Sequence, residues 1–190
     1  MERQKSDRRT KYTKMVLKES LMKLMQQKPL AKITIKELCE TADINRCTFY
    51  AHYTDQYDLL RQIEDEMLKE VEEMLSNYSY RTDQTEAYQM LERIFIYVAE
   101  NREICALLLS DQGDAAFQKR LMKIAQHQQV QNWSLKKGMD AETAEYIYLF
   151  SVNGSIGLVQ SWLKNGLNKS PAEIAEMVTK LTNCGLSAFA

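Results

Sequence analysis

The sequence contains few of the residues that form turns. Among its 190 residues are six glycines and two prolines, about 4% of the chain, where roughly 12% is typical. This shortage excludes a many-stranded sandwich or barrel and favours long helices. Hydrophobic residues make up 45% of the chain, which is enough for one or two cores of ordinary size.

Metal ligands and disulfide partners are also scarce. The chain has only two histidines, and its four cysteines are scattered without a C-x-x-C pair. We therefore expect no metal site and no cofactor, and the spacing disfavours a disulfide-stabilised secreted fold. The first residues are polar, which is typical of neither a signal peptide nor a transit peptide. These features predict a soluble, reduced, cytoplasmic protein.

The charge is unevenly distributed along the chain. Residues 1–54 carry 12 Lys and Arg against 6 Asp and Glu, whereas residues 55–190 carry 13 against 20. A basic segment followed by a larger acidic one suggests that the first part meets a polyanion and the second does not. The alternative is a chance fluctuation among solvated helix faces.

Hydrophobic periodicity predicts an all-α protein of about nine helices. Leu17, Leu21 and Leu24 indicate an amphipathic helix over about residues 10–28, which Pro29 ends. Further stripes predict a long helix capped by Asp55, a linker at 77–83, and helices near 91–98 and 117–124. The helix near 117–124 is predicted to end at 136–138. The last two helices are predicted from Asp140 to Asn165, closed by Gly166, and from the Ser170–Glu173 capping box onward.

Two short helices with a tight turn between them form the most informative pattern. Thr34 and Glu37 have the spacing of a capping box, which opens a helix from Ile35 to about Ala42. Asn45 is a suitable N-cap for a second helix from Arg46 to about Tyr53. Preceded by a supporting helix, this pair predicts a helix-turn-helix, whose second helix enters the major groove of DNA. We therefore predict a DNA-binding domain at 1–54 and a helical dimerisation and regulatory domain at 55–190.

The segment Thr34–Tyr53 (TIKELCETADINRCTFYAHY) strongly resembles the signature of the TetR family of bacterial transcription regulators, and the resemblance extends over about residues 10–60. It implies that Thr34, Tyr50 and His52 contact phosphates. It also implies that four residues lie at or near base edges: Asn45, Arg46, Cys47 and Thr48. Thr34 and Asn45 are caps in either case, and for Tyr50 a half-buried core ring is the alternative. We assign Leu38, Ala42, Ile44, Phe49 and Tyr53 to the core.

Two positions depart from the family pattern. Pro29 stands where a glycine is common, and Gln56 stands where the family commonly has a phosphate-binding lysine. The missing charge should weaken DNA affinity and lower the salt dependence by about one unit of slope. Basic residues near the N-terminus could compensate as a basic arm that contacts the DNA backbone: Lys5, Arg8, Arg9, Lys11 and Lys14. A disordered tail is the alternative.

One short recognition helix reads few base pairs, so such proteins usually work as dimers on palindromic sites. The predicted surface for a homodimer combines small residues of the helix at 140–165 with apolar residues nearby: Ser151, Gly154, Ser155, Gly157, Trp162, Met177 and Leu181. Packed against a second copy, the last two helices would form a four-helix bundle, as the resemblance also implies. An internal core is the alternative for these residues.

The resemblance also implies a small-molecule or protein effector. Candidate pocket residues are aromatic or sulfur-containing: Tyr88, Phe95, Met122 and Trp133. Each of them is a core former first. Residues 101–105 and 111–114 are similar to the C-terminal region of a low-G+C Gram-positive TetR subgroup, in which the partner can be a second protein.

These observations favour a homodimeric repressor that binds double-stranded DNA. Residues 146–163 carry no charge, but interrupting polar residues and glycines disfavour a membrane span. An enzyme is disfavoured because no catalytic spacing is present, so no catalytic residue is predicted. The remaining alternatives are an activator of the same fold and a helical dimeric adaptor that does not bind DNA.

Overall fold

The computed structural model describes residues 2–76, 84–110, 113–124 and 140–187. These residues form nine α-helices, one short 3₁₀ turn at Leu30–Lys32 and no strand, which confirms the predicted all-α class. The helices are α1 (Glu2–Met25), α2 (Ile35–Ala42), α3 (Arg46–Tyr50), α4 (Gln56–Ser76), α5 (Gln84–Glu100), α6 (Arg102–Leu108), α7 (115–124), α8 (Ala141–Lys164) and α9 (Pro171–Ser187). The predicted linker at 77–83, the predicted helix end at 136–138 and Trp133 lie outside the described residues.

Local capping signals predicted most helix starts correctly. Asp140 Oδ1 accepts a hydrogen bond from the Thr143 amide at 2.9 Å, and α8 begins at the next residue. At the start of α9, Ser170 Oγ accepts from the Glu173 amide at 3.2 Å, and a Glu173 carboxylate oxygen accepts from the Ser170 amide at 2.8 Å. This reciprocal pair is the predicted capping box.

Two helices differ from the prediction. Helix α1 begins at Glu2 rather than near residue 10, because its polar first turns consist mainly of good helix formers without Pro or Gly. Helix α6 was not predicted at all. It follows α5 after Asn101, whose side-chain amide donates to the Tyr97 carbonyl at 3.0 Å instead of capping α6. No capping signal therefore marks its start.

The chain divides into two compact units, Met1–Met67 and Leu68–Ala190, and the division falls within α4. In the first unit, α1 packs on α2 and α2 packs on α3. Its core is formed by fully buried side chains from all four helices: Leu17, Leu21, Leu38, Phe49 and Leu59. The first part of α4 thus supplies core residues to the unit that contains the two short helices.

In the second unit, α5 packs along α9, while α6 contacts both α5 and α8. The backbone turns sharply after α6, where a Cβ on Gly113 would stand 2.2 Å from the Leu108 carbonyl oxygen. The same turn is held by the Gln118 side-chain amide, which donates to the carbonyls of Leu108 and Ser110 at 3.3 and 3.2 Å. Among the described residues, no helix has the length and apolar character needed to cross a membrane.

Candidate DNA-recognition interface

Helix α2 starts at the predicted N-cap, Thr34, but the glutamate of the predicted capping box, Glu37, has a different partner. Thr34 Oγ1 accepts from the Glu37 amide at 3.2 Å, as a capping box requires. The Glu37 carboxylate, however, does not return to the cap and instead accepts from Lys28 Nζ. This hydrogen bond is the main cause that lowers the pKa of Glu37. The ion pair therefore ties the segment before Pro29 to α2, nine residues further along the chain.

The turn between α2 and α3 is formed by a residue in the left-handed region. Asp43 has a φ of 53°, and the Ile44 amide donates to the Cys39 carbonyl at 2.9 Å. Aspartate tolerates this conformation better than most residues with a side chain. The tight turn predicted from Asp43 and Ile44 is therefore confirmed, and it ends α2 at Ala42.

Helix α3 begins at the predicted N-cap. Asn45 Oδ1 accepts from the Cys47 amide at 2.8 Å. The regular helix ends at Tyr50, but the amides of His52 and Tyr53 both donate to the Phe49 carbonyl at 2.9 Å. These bonds continue the helical winding to Tyr53, the residue near which the sequence predicts the end of this helix. The regular helix itself is three residues shorter.

Phe49 anchors α3 to the rest of the first unit. Its side chain is fully buried, and its ring lies 5.5 Å from the ring of Tyr50 and 5.7 Å from that of Tyr53. Tyr53 is also buried, and burial, with smaller contributions from Glu66 and Asp58, raises the pKa of its phenol to about 12. Both residues are core residues, as the sequence predicted.

The opposite face of α3 is open to solvent. Arg46, Cys47 and Tyr50 are exposed, and Tyr50 is 58% exposed, so its ring is not a core ring. One turn of helix separates Arg46 from Tyr50, which places both on one face. Arg46 forms no ion pair with any residue that the structure describes. Thr48 and His52 are half-buried at the sides of this face.

The remaining candidates for backbone contact lie on α1 and α4. Arg8, Arg9 and Lys11 are exposed in the second and third turns of α1, whereas Gln56 is the first residue of α4 and half-buried. Tyr12, which the sequence analysis did not single out, is 60% exposed next to Lys11. The signal for it was available, since an aromatic residue among several basic ones is typical of nucleic-acid surfaces.

A second exposed face lies on α8 and α9. It contains an open groove of about 600 Å³ that is lined mainly by apolar and small residues from both helices. Four of the residues predicted for a dimer surface line this groove: Ser151, Gly154, Ser155 and Leu181. Met177 and Gly157 are also exposed. Two aromatic residues at the rim were not predicted from the sequence: Tyr146 and Phe150, which are 65% and 83% exposed.

The sequence predicts Trp162 at the dimer surface, but the structure places it inside the second unit. It is 3% exposed, its indole N–H donates to the Lys169 carbonyl at 2.9 Å, and its ring meets that of Phe95 edge-on at 6.2 Å. Trp162 therefore belongs to the internal core, which was the alternative that the sequence left open. It is not part of the exposed face.

Among the residues suggested for an effector pocket, Phe95 is buried against Trp162, whereas Tyr88 and Met122 are half-buried. The Met122 carbonyl accepts from the hydroxyl of the buried Tyr148 at 2.8 Å. The burial of Phe95 and Tyr148 is that of core residues. In the part of the chain that the structure describes, no group of histidines, cysteines and carboxylates could hold a metal ion.

The C-terminal half of the chain matches a known protein family. Residues 85–184, more than half of the chain, match the TetR_C_8 family, described as the C-terminal region of transcriptional regulators. The protein therefore belongs to the TetR family of transcriptional regulators. A search of curated proteins finds no match.

Solved structures share the fold at low sequence identity. A TetR transcriptional regulator from Streptococcus agalactiae 2603V is 20% identical, with a TM-score of 0.64 over 93% of this chain and 97% of that one. NalD, the secondary repressor of a multidrug efflux pump in Pseudomonas aeruginosa, is 15% identical, with a TM-score of 0.69 over 93% and 96%. FadR from Bacillus subtilis, solved with stearoyl-CoA, is 12% identical, with a TM-score of 0.61 over 88% and 96%.

Proposed function

We propose that this transcriptional regulator binds DNA sequence-specifically through α2 and α3. The observation that carries the proposal is the exposed face of α3, where Arg46, Cys47 and Tyr50 project from a helix that the buried Phe49 holds in place. A helix of this kind fits the major groove, which is about 12 Å wide. The excess of basic residues over residues 1–54 supplies attraction to the phosphates.

Each exposed residue has a role that its chemistry suits. The guanidinium of Arg46, which forms no ion pair with a described residue, can donate two hydrogen bonds to the O6 and N7 atoms of a guanine. Asn45, Cys47 and Thr48 lie beside it and face the neighbouring base edges. The hydroxyls of Thr34 and Tyr50 and the imidazole of His52 contact phosphates, together with a set of backbone contacts from Arg8, Arg9, Lys11 and Gln56.

The protein acts as a homodimer on a palindromic operator. Two copies must place their α3 helices one helical turn of DNA apart, about 34–36 Å, so that both reach the major groove on the same side. The exposed face of α8 and α9 supports this proposal, since a large apolar surface on a folded unit is typical of an interaction site.

We assign the protein the role of a repressor whose occupancy of the operator blocks transcription and which a small-molecule or protein effector releases. NalD is a repressor and FadR was solved with an acyl-CoA, which supports both parts of the assignment. Activation is the alternative, because occupancy of a site does not by itself fix the sign of regulation. A cytoplasmic location follows from this role.

Selection of bound fragments from sheared genomic DNA by the purified protein tests the proposal. It should yield a palindromic site. Arg46→Ala should weaken binding to that site by about 1–3 kcal/mol per half-site, if the contact with guanine is bidentate. Arg102→Ala is the matched control, because Arg102 is exposed on α6 in the other unit. Fragments without a common sequence, bound no better than random DNA at low salt, would favour the adaptor that does not bind DNA.

A further inference from the structure

The groove on α8 and α9 and the aromatic residues at its rim lie on one surface. Phe150 extends from α8 with 83% of its surface exposed, which is unusual for a phenylalanine. One turn further along the same helix, Gly154 lines the groove, and a Cβ built on Gly154 meets no atom within 4 Å. The far wall is formed by residues of α9, among them Val178 and Leu181. A protruding ring and an empty recess therefore stand side by side.

We propose that the occupant of this groove is Phe150 of a second copy, inserted over Gly154, and that each copy fills the groove of the other. A surface that carries both a projection and a recess is self-complementary under a two-fold axis. The inference rests on the homodimer proposed above, and it names the residue that holds the homodimer together.

The two rings of each copy would supply roughly a third to a half of the area that a stable dimer buries. Aromatic side chains bury roughly 150–250 Å² each, so at their observed exposure Tyr146 and Phe150 would contribute about 450–750 Å² across two copies. Stable interfaces bury about 1,200–2,000 Å² in total. Leu149, Met177 and Leu181 are exposed as well and add to the aromatic contribution. None of the described residues that line the groove is charged, so none of them buries a charge on association.

Sedimentation of the purified full-length protein without DNA tests this arrangement. Phe150→Ala should weaken dimerisation by about 30-fold for each ring lost from the interface, and by about 1,000-fold for the pair. Folding should be unaffected, because the side chain is exposed. Ile96→Ala, which truncates an exposed apolar residue on α5 outside the groove, is the matched control and should dimerise like the wild type.

A second variant distinguishes insertion of Phe150 from non-specific hydrophobic association. Gly154→Leu fills the recess but keeps Phe150, and it should also weaken the dimer. A mixture of Phe150→Ala and Gly154→Leu chains restores one of the two insertions, because the leucine variant supplies a ring and the alanine variant supplies an open groove. The mixed dimer should therefore form at concentrations at which neither variant pairs with itself.

Three outcomes would overturn the inference: a Phe150→Ala chain that dimerises like the wild type, no recovery in the mixture, or a monomeric wild type whose groove holds a small apolar molecule. A Phe150→Ala dimer that still selects a palindromic operator would refute the insertion and leave the proposed function intact. A wild-type dimer that selects no DNA sequence, with recovery in the mixture, would do the reverse.

Discussion

Truncation of Phe49 should abolish the proposed DNA binding although its side chain is fully buried and is not part of the exposed face of α3. The phenyl ring is fully buried beneath the exposed face of α3 and contacts the rings of Tyr50 and Tyr53. Phe49→Ala would leave a cavity at the only helix that presents Arg46 and Cys47. The helix has five residues, so it has little stability of its own and depends on this packing.

The magnitude of the effect is comparable with the stability of the unit. A buried Phe→Ala substitution costs about 3–5 kcal/mol, whereas the 67 residues of the first unit are worth about 3–10 kcal/mol at the usual value per residue. The variant should therefore place the unit at or near its unfolding threshold. Phe49→Leu, which keeps most of the volume, should cost only about 1–1.5 kcal/mol and retain binding.

Hydrogen exchange followed by mass spectrometry can locate the loss. Peptides that cover residues 34–60 should lose protection in Phe49→Ala, while peptides from α5 and α9 should keep it. Both tryptophans lie in residues 68–190, so the midpoint of urea unfolding seen by tryptophan fluorescence should not change. Operator affinity measured by fluorescence anisotropy should fall to the level of non-specific binding.

A Phe49→Ala chain that binds the operator like the wild type, with unchanged protection of residues 34–60, would refute this role of Phe49. Equal loss of protection in α5 and α9 would also refute it, since the substitution would then act on the whole chain rather than on one unit.

Three further predictions concern other parts of the molecule. Gln56→Lys should tighten operator binding and increase the slope of log K against log salt by about one per copy, and an unchanged slope in a salt titration would exclude Gln56 from the phosphate contacts. Because Lys28 lowers the pKa of Glu37, the stability from this pair should be complete above the ordinary glutamate pKa and be lost as the pH falls through the lower folded pKa. The melting temperature of Lys28→Met, measured as a function of pH, should not show this loss. A pH profile identical to that of the wild type would contradict the assignment of the lowered Glu37 pKa to Lys28. Gly113→Ala should lower the melting temperature because its Cβ would meet the Leu108 carbonyl oxygen. A melting temperature equal to that of the wild type would show that the turn after α6 can relax.

The starts of four helices were predictable because the interactions that define them are local. A cap involves residues two or three positions apart, so Thr34, Asn45, Asp140 and Ser170 could be read directly from the sequence, and each forms the expected hydrogen bond. The identity of the buried anchor Phe49 followed from its place in the helix-turn-helix pattern.

The partner of Glu37 was not predictable in the same way. The capping pattern offered it the backbone at Thr34, but folding brings Lys28 close enough to form an ion pair instead. No rule of spacing relates two residues that lie nine positions apart across a proline. Helix α6 escaped notice for a related reason, since buried contacts of Ile104, Cys105 and Leu108 define it rather than a cap.

Helix α8 shows most clearly what tertiary structure decides. Residues 146–163 of this helix carry no charge, so the hydrophobic pattern could not distinguish a covered position from an open one. Packing within the second unit buries Tyr148 and Trp162 but leaves Tyr146 and Phe150 exposed. The sequence by itself determined that the segment is a helix and where it begins, because hydrogen bonds and caps are local. Which of its aromatic residues remain free for a partner depends on neighbours that are distant in the chain, and only the folded structure determines this.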